Sequence, residues 1–131
     1  MRRIFTQLIV VACVMLLLAV ILGAYGAHAL RDVLGDHGAE VWATANRYHF
    51  YHGLGMLVVL MLGRMYHHPR ILWLAAFVFL GGIILFSGSL YLLAVFPGWH
   101  WLGPVTPLGG LMFAGGWLMC VIAMFNLQAK E

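Results

Sequence analysis

Charge is what this sequence has least of. Asp, Glu, Lys and Arg make up 8% of its 131 residues, where a soluble domain carries about a quarter. Hydrophobic residues reach 64% and the mean hydropathy is +0.98. Such a chain cannot coat itself in a polar shell, so a soluble globular fold is excluded and a membrane protein is expected. Cysteine is nearly absent as well. Cys13 and Cys120 are the only two and both lie in apolar runs, which rules out a CxxC motif or a disulfide framework and leaves them as small buried hydrophobes. Basic clusters are missing too: the formal charge is +3, but the Lys and Arg residues stand singly or in one pair, so no nucleic-acid surface is expected. No carboxylate pair or phosphate loop is present, and Ser87 or Ser89 with His52 imitates a Ser–His pair that has no third member. The reading is that the protein is not an enzyme.

Long apolar runs fill the space left by these absences. Crossing a hydrocarbon core takes about 20 residues at 1.5 Å rise, and four segments qualify, giving helices at about 4–30, 44–66, 70–96 and 106–128 within one transmembrane domain, 1–131. The expected fold is all-α, a polytopic membrane four-helix bundle. The breaks are a charged stretch from Arg31 to Glu40, the sequence GRMYHHPR with its Pro69, and PGWHWLGPVTP with Trp99 and Trp101 suited to an interfacial belt. A cleaved signal peptide is the alternative for the beginning, since Arg2 and Arg3 precede an apolar run and Ala27-His28-Ala29 resembles a cleavage site. That run of about twenty residues exceeds an h-region of about 7–15, so a retained helix is favoured. Arg2, Arg3, Arg64, Arg70 and Lys130 fall on one side, and Arg31 and Arg47 on the other. The positive-inside rule then puts both termini in the cytoplasm.

In this topology the same-side ends of antiparallel helices share a depth, and four polar groups meet in the outer-leaflet half. They are His28, the segment holding Tyr48 and His52, Ser87 with Ser89 and Tyr91, and Thr106. Polar groups in lipid are costly unless partnered, so these side chains are expected to face each other or water. Helical spacing turns Tyr48 and His52 inward together and leaves His49 and Tyr51 on the flanks of that face. Small residues mark helix contacts: Gly53 and Gly55 on the second helix, Gly110 with Ala114 on the fourth, and Gly23 with Ala27 on the first. Thr106 reads as an N-cap with Pro107 at the first helical position.

The segments GAYGAHAL, YHFYHGLGML, LFSGSLYLL and VTPLGGLMFAGGW, in this order and spacing, resemble the YgdD-like family of small bacterial inner-membrane proteins, domain of unknown function 423. The resemblance spans nearly the whole chain and implies a multi-pass, four-helix protein of the inner (cytoplasmic) membrane; it supplies no catalytic assignment. Matching positions are Gly23, Gly26, Ala27, His28, Tyr48, His52, Ser87, Gly88, Ser89, Tyr91, Thr106, Pro107, Gly109 and Gly110, whereas Arg47 and His49 fall outside the pattern.

Two functional readings follow. One is a scaffold or accessory subunit of a larger membrane complex, or a homo-oligomer, in which the polar cluster ties the helices together within the lipid bilayer. The other is proton or small-molecule binding or transport through His28 and His52, against which the cytoplasmic half offers no matching ionisable residues. Metal and haem are disfavoured. His49 projects about 60° from His52 on the helical wheel, no carboxylate accompanies them in the span, and His67 with His68 form only an isolated pair. No cofactor is expected.

Overall fold

The computed structural model describes residues 2–66 and 70–128; the His67–His68 pair and Pro69 lie outside the described residues. Helix α1 (Arg2–Ala27) is followed by a turn and then α2 (Arg31–Met65). The third rod consists of α3 (Arg70–Gly82), one π turn (Ile83–Ser87) and α4 (Gly88–Val95). A 3-10 turn (His100–Leu102) leads into α5 (Val105–Gln128). The fold is an all-α four-helix bundle, and no strand occurs among the described residues.

The second helix begins earlier than its hydropathy indicates. Residues 31–43 read as a charged loop, yet they are helical, with one break at Gly35 (φ 64°, ψ −177°), a backbone conformation that only glycine adopts without strain. Beyond Gly35 the helix is amphipathic: Gly38, Trp42 and Ala45 are buried, while Asp36, His37 and Glu40 are exposed. Charge therefore marks the outward face of a helix here and not its absence. The first helix ends at Ala27 and not near residue 30, because the chain reverses through a turn in which the Leu30 N–H donates to the Tyr25 carbonyl.

Arg3–Ala27, Arg70–Val95 and His100–Leu127 are each long and apolar enough to cross a membrane. Helix α2, counted as a fourth span from sequence, does not reach that standard alone. It lies at the centre of the bundle, packed by α1, α3 and α4, so its polar side chains meet neighbouring helices. Met56, Val59 and Leu60 of α2 form one core with Leu8 and Ala12 of α1, Leu72, Ala76 and Phe79 of α3, and Phe113 of α5. The faces turned away from this core are apolar as well: Val10, Leu17 and Val20 on α1, and Leu111, Leu118 and Phe125 on α5, are exposed. An apolar exterior over an equally apolar core suits a solvent of hydrocarbon.

Glycines decide how closely α5 approaches the third rod. A methyl group on Gly109 would collide with the backbone nitrogen of Phe86 in the π turn, and one on Gly116 would strike the Phe79 ring. The π turn itself closes with the Gly88 N–H donating to the Ile83 carbonyl, and its wide pitch keeps Ile83 and Ser87 both buried. Gly110 and Ala114, the pair read from sequence as the contact stripe, are not that stripe. Ala114 is exposed, and a methyl group on Gly110 would make ordinary contact with Phe86 at 3.7 Å. On α1 the contact pair is Gly23 with Gly26, and Ala27 is exposed.

Gly109→Ala is therefore expected to destabilise the bundle by about 1–3 kcal/mol, the usual cost of overpacking where backbone blocks relaxation. Gly110→Ala is expected to change stability by less than about 0.5 kcal/mol. Thermal unfolding of the two variants in the same detergent tests the assignment, and equal melting temperatures would refute it.

Candidate functional site

The polar residues of α2 follow a helical stripe. Trp42, Asn46, His49 and Gly53 recur at spacings of four, three and four, which puts them on one face, and that face meets α1. The Trp42 indole N–H donates to the Leu22 carbonyl at 2.8 Å, and the Asn46 amide donates to the Ala19 carbonyl at 2.6 Å. Both can reach α1 because Gly23 and Gly26 present no side chain: a methyl group on Gly26 would overlap the Trp42 indole, and one on Gly23 would lie 2.8 Å from the Asn46 amide oxygen. Gly53 lets α2 settle against Leu16 in the same way.

Asn46 also donates to the Tyr91 hydroxyl of α4 at 3.0 Å, and that hydroxyl is 3.3 Å from His49 Nδ1. Because Tyr91 accepts from Asn46, its own proton is free for His49, which makes Nδ1 the acceptor and places the ring proton on Nε2. Nε2 has no hydrogen-bond partner among the described residues, and the Met15 backbone of α1 lies beside the ring. The Trp42 and Tyr91 rings close the group at a centroid distance of 4.6 Å.

A second group surrounds His52. Nδ1 lies 2.7 Å from the Tyr48 carbonyl, and the Trp117 indole N–H donates to Nε2 at 3.2 Å. Since a carbonyl only accepts and an indole only donates, the ring carries its proton on Nδ1 and both nitrogens are engaged. The imidazole stacks on Phe113 at 3.5 Å, and Phe79 packs at 5.4 Å. A third group links α4 and α5: the Ser89 hydroxyl donates to the Phe86 carbonyl at 2.9 Å, leaving Thr106 to donate to Ser89 across 2.7 Å.

The cluster read from sequence is thus divided and partly relocated. Tyr91 is a hub, Ser89 and Thr106 bond each other, and His52 bonds Trp117. Helix α5 starts at Val105, so Thr106 lies inside its first turn and its hydroxyl serves the interhelical bond. His28 does not join: it sits exposed in the turn after α1. Tyr48 is 40% exposed, its ring lying over Phe86 at 4.8 Å and nearly parallel to the His52 ring at 5.9 Å, while its carbonyl takes the His52 hydrogen bond. Ser87 is fully buried with no hydrogen-bond partner among the described residues. No serine bonds a histidine, and no three His, Cys, Asp or Glu side chains converge as metal ligands among the described residues.

Depth also changes. Because α2 runs from Arg31, residues 48–52 lie at its middle and not its outer end. They meet the middles of α3 and α5 through Phe79 and Trp117. His49 read as incidental, yet it is 4% exposed and bonded. Asn46, Trp42 and Trp117 lie outside the cluster expected from sequence, although the spacing of Trp42, Asn46 and His49 is a helical signal for them.

Replacing Tyr91 by Phe removes the acceptor for Asn46 and the donor for His49 and is expected to cost about 1–2 kcal/mol, the upper range for hydrogen bonds between membrane helices. His28→Ala is expected to leave stability unchanged. Unfolding in a fixed detergent distinguishes them; a Tyr91→Phe variant as stable as the unmutated protein would remove the hub.

Comparison with known proteins agrees with this architecture. Residues 22–110 match the family model described as protein of unknown function (DUF423). The chain is 43% identical over 115 residues to the UPF0382 membrane protein YwdK of Bacillus subtilis (strain 168), covering 88% of this chain and 93% of that one. It is 41% identical to the UPF0382 membrane protein SAB0533 of Staphylococcus aureus (strain bovine RF122 / ET3-1), over 84% and 88% of the two chains. A third relative, the UPF0382 membrane protein SH2409 of Staphylococcus haemolyticus (strain JCSC1435), is 41% identical over 79% and 83%. No solved structure matches the chain. With its Gly23 and Gly26 clasp, Tyr91 hub and π turn all inside the matched region, the chain belongs to the DUF423 family and is a membrane protein.

Proposed function

We propose that this protein is a multi-pass scaffold or accessory subunit of the bacterial inner membrane, with both termini cytoplasmic. It would act by holding a rigid apolar surface for a larger membrane assembly or for copies of itself. The observation that carries this reading is the commitment of the polar interior to helix contacts. Asn46, Tyr91, Trp42 and Trp117 spend hydrogen-bonding groups on neighbouring helices, and His52 divides its two nitrogens between its own helix and Trp117 of α5, as expected of a bundle selected for one fixed packing. Proton or small-molecule transport through His28 and His52 has less support. His28 is exposed away from the interior, and His52 has no ring nitrogen free to take up a proton without losing the Trp117 bond.

Extraction in mild detergent followed by native electrophoresis tests the subunit reading. The expected outcome is a discrete species larger than the 14.6 kDa monomer in its micelle, with one stoichiometric partner or a fixed copy number; a monomer alone would refute it. Reporter fusions at the two ends are expected to place both in the cytoplasm. In a liposome flux assay His28→Ala and His52→Ala are expected to match the unmutated protein, and a selective loss would reinstate transport.

A further inference from the structure

A groove of about 980 Å³ opens where the chain leaves α1, turns, and returns along α2. Its α1 side is floored by Gly23 and Gly26, its α2 side by Ala39 and Ala43, and its deep end is walled by Phe50 and Tyr51. Two cations, Arg31 and Arg47, and two anions, Asp36 and Glu40, line it. All four are exposed. The groove lies at the end of the bundle that also carries the exposed aromatics Phe96, Trp99 and Trp101, side chains suited to the level of lipid headgroups.

The charges are arranged by depth. Asn46 meets Ala19 and Gly23 of α1, eight and four residues before Ala27, so the neighbouring Arg47 lies about 6–12 Å by helical rise inside the end of α1. Asp36 and Glu40 precede Arg47 on α2 by eleven and seven residues, nearer the water. An arginine at that depth extends its guanidinium toward the interface, which brings the Arg47 charge below Asp36 and Glu40 within one groove, with Arg31 at the start of α2. A phospholipid with a free ammonium group has the same order: its phosphate lies nearer the acyl chains and its amine nearer the water. The apolar wall at Phe50 and Tyr51 continues downward where acyl chains would begin.

We propose that this groove binds a single zwitterionic phospholipid headgroup of the phosphatidylethanolamine class, with Arg47 on the phosphate and Asp36 and Glu40 on the ammonium. Arginine matches phosphate bidentately, and the carboxylates accept the N–H donors of a primary ammonium. A phosphatidylglycerol headgroup offers Asp36 and Glu40 only neutral hydroxyl donors in place of a cation, and a choline headgroup offers them no N–H. The inference stands apart from the subunit reading, since it concerns a lipid bound to this chain alone.

The test is native mass spectrometry of the full-length protein in detergent, titrated with phosphatidylethanolamine, phosphatidylglycerol and phosphatidylcholine of identical acyl chains. Phosphatidylethanolamine is expected to bind about tenfold more tightly than the other two, the scale of one lost set of charge-assisted hydrogen bonds. The Asp36→Asn/Glu40→Gln variant is expected to erase that preference, and Arg47→Gln to weaken all three lipids. Because these side chains are exposed, melting temperatures are expected to stay within about 2 °C, and Glu40→Gln alone provides a milder variant. Equal binding of the three lipids, or an undiminished preference in both carboxylate variants, would overturn the proposal. Full displacement by water-soluble glycerophosphoethanolamine at equal concentration would overturn it in favour of a free zwitterion.

Discussion

The amide of Asn46 joins three helices, and the packing around it follows from that junction. In hydrocarbon an amide without partners is costly. Asn46 donates one hydrogen bond to a backbone carbonyl of α1 and one to a hydroxyl of α4, while its own backbone belongs to α2. Moving any of these helices by a full turn would break at least one bond. Leucine contacts cannot impose this restriction, because lipid chains offer leucine nearly the same environment as a neighbouring helix.

Glycine makes the junction reachable. Gly23 and Gly26 expose the carbonyl edge of α1 to Asn46 and Trp42, and Gly109 brings α5 against the backbone of the π turn. Helices α2 and α5 meet differently, through the rings of His52, Phe113 and Trp117. The bundle therefore combines close backbone contacts on two sides of its centre with a layer of aromatic rings on a third. The histidines differ accordingly. His52 is enclosed by partners on both nitrogens, whereas His49 retains one nitrogen without a hydrogen bond among the described residues.

Much of the architecture was legible because hydropathy and length dominate membrane folds. The ends of the third and fourth helices, at Val95 and Val105, lie within a residue of their sequence reading, since Pro and Gly punctuate them. The start of the second helix was not legible, because charge reads as loop by hydropathy, although Asp36, His37 and Glu40 all lie on the outer side of an amphipathic stripe. That reading moves Tyr48 and His52 outward by several turns and hides Asn46 and Trp42 in an apparent interface. Which glycines touch a neighbour was not legible either. Gly109 and Gly110 are adjacent in sequence, and only the rotation of α5, fixed by Phe79 and Phe86 on the opposing rod, selects the former.

Gly23, Gly26, Trp42 and Asn46 belong to both the clasp between α1 and α2 and the lining of the charged groove. Any side chain added to α1 at either glycine would press on the clasp and narrow the groove at once. The two features are mechanically continuous: the clasp sets the separation of α1 and α2, and the break at Gly35 sets where the charged end of α2 lies beyond it. Spreading the two helices to admit a bulky group would strain the bonds from Trp42 to Leu22 and from Asn46 to Ala19. A headgroup resting between Arg47 and Glu40 leaves those bonds intact. The polar chemistry of this chain thus divides by depth, with buried groups fixing helix geometry and exposed charges facing outward on the same helix.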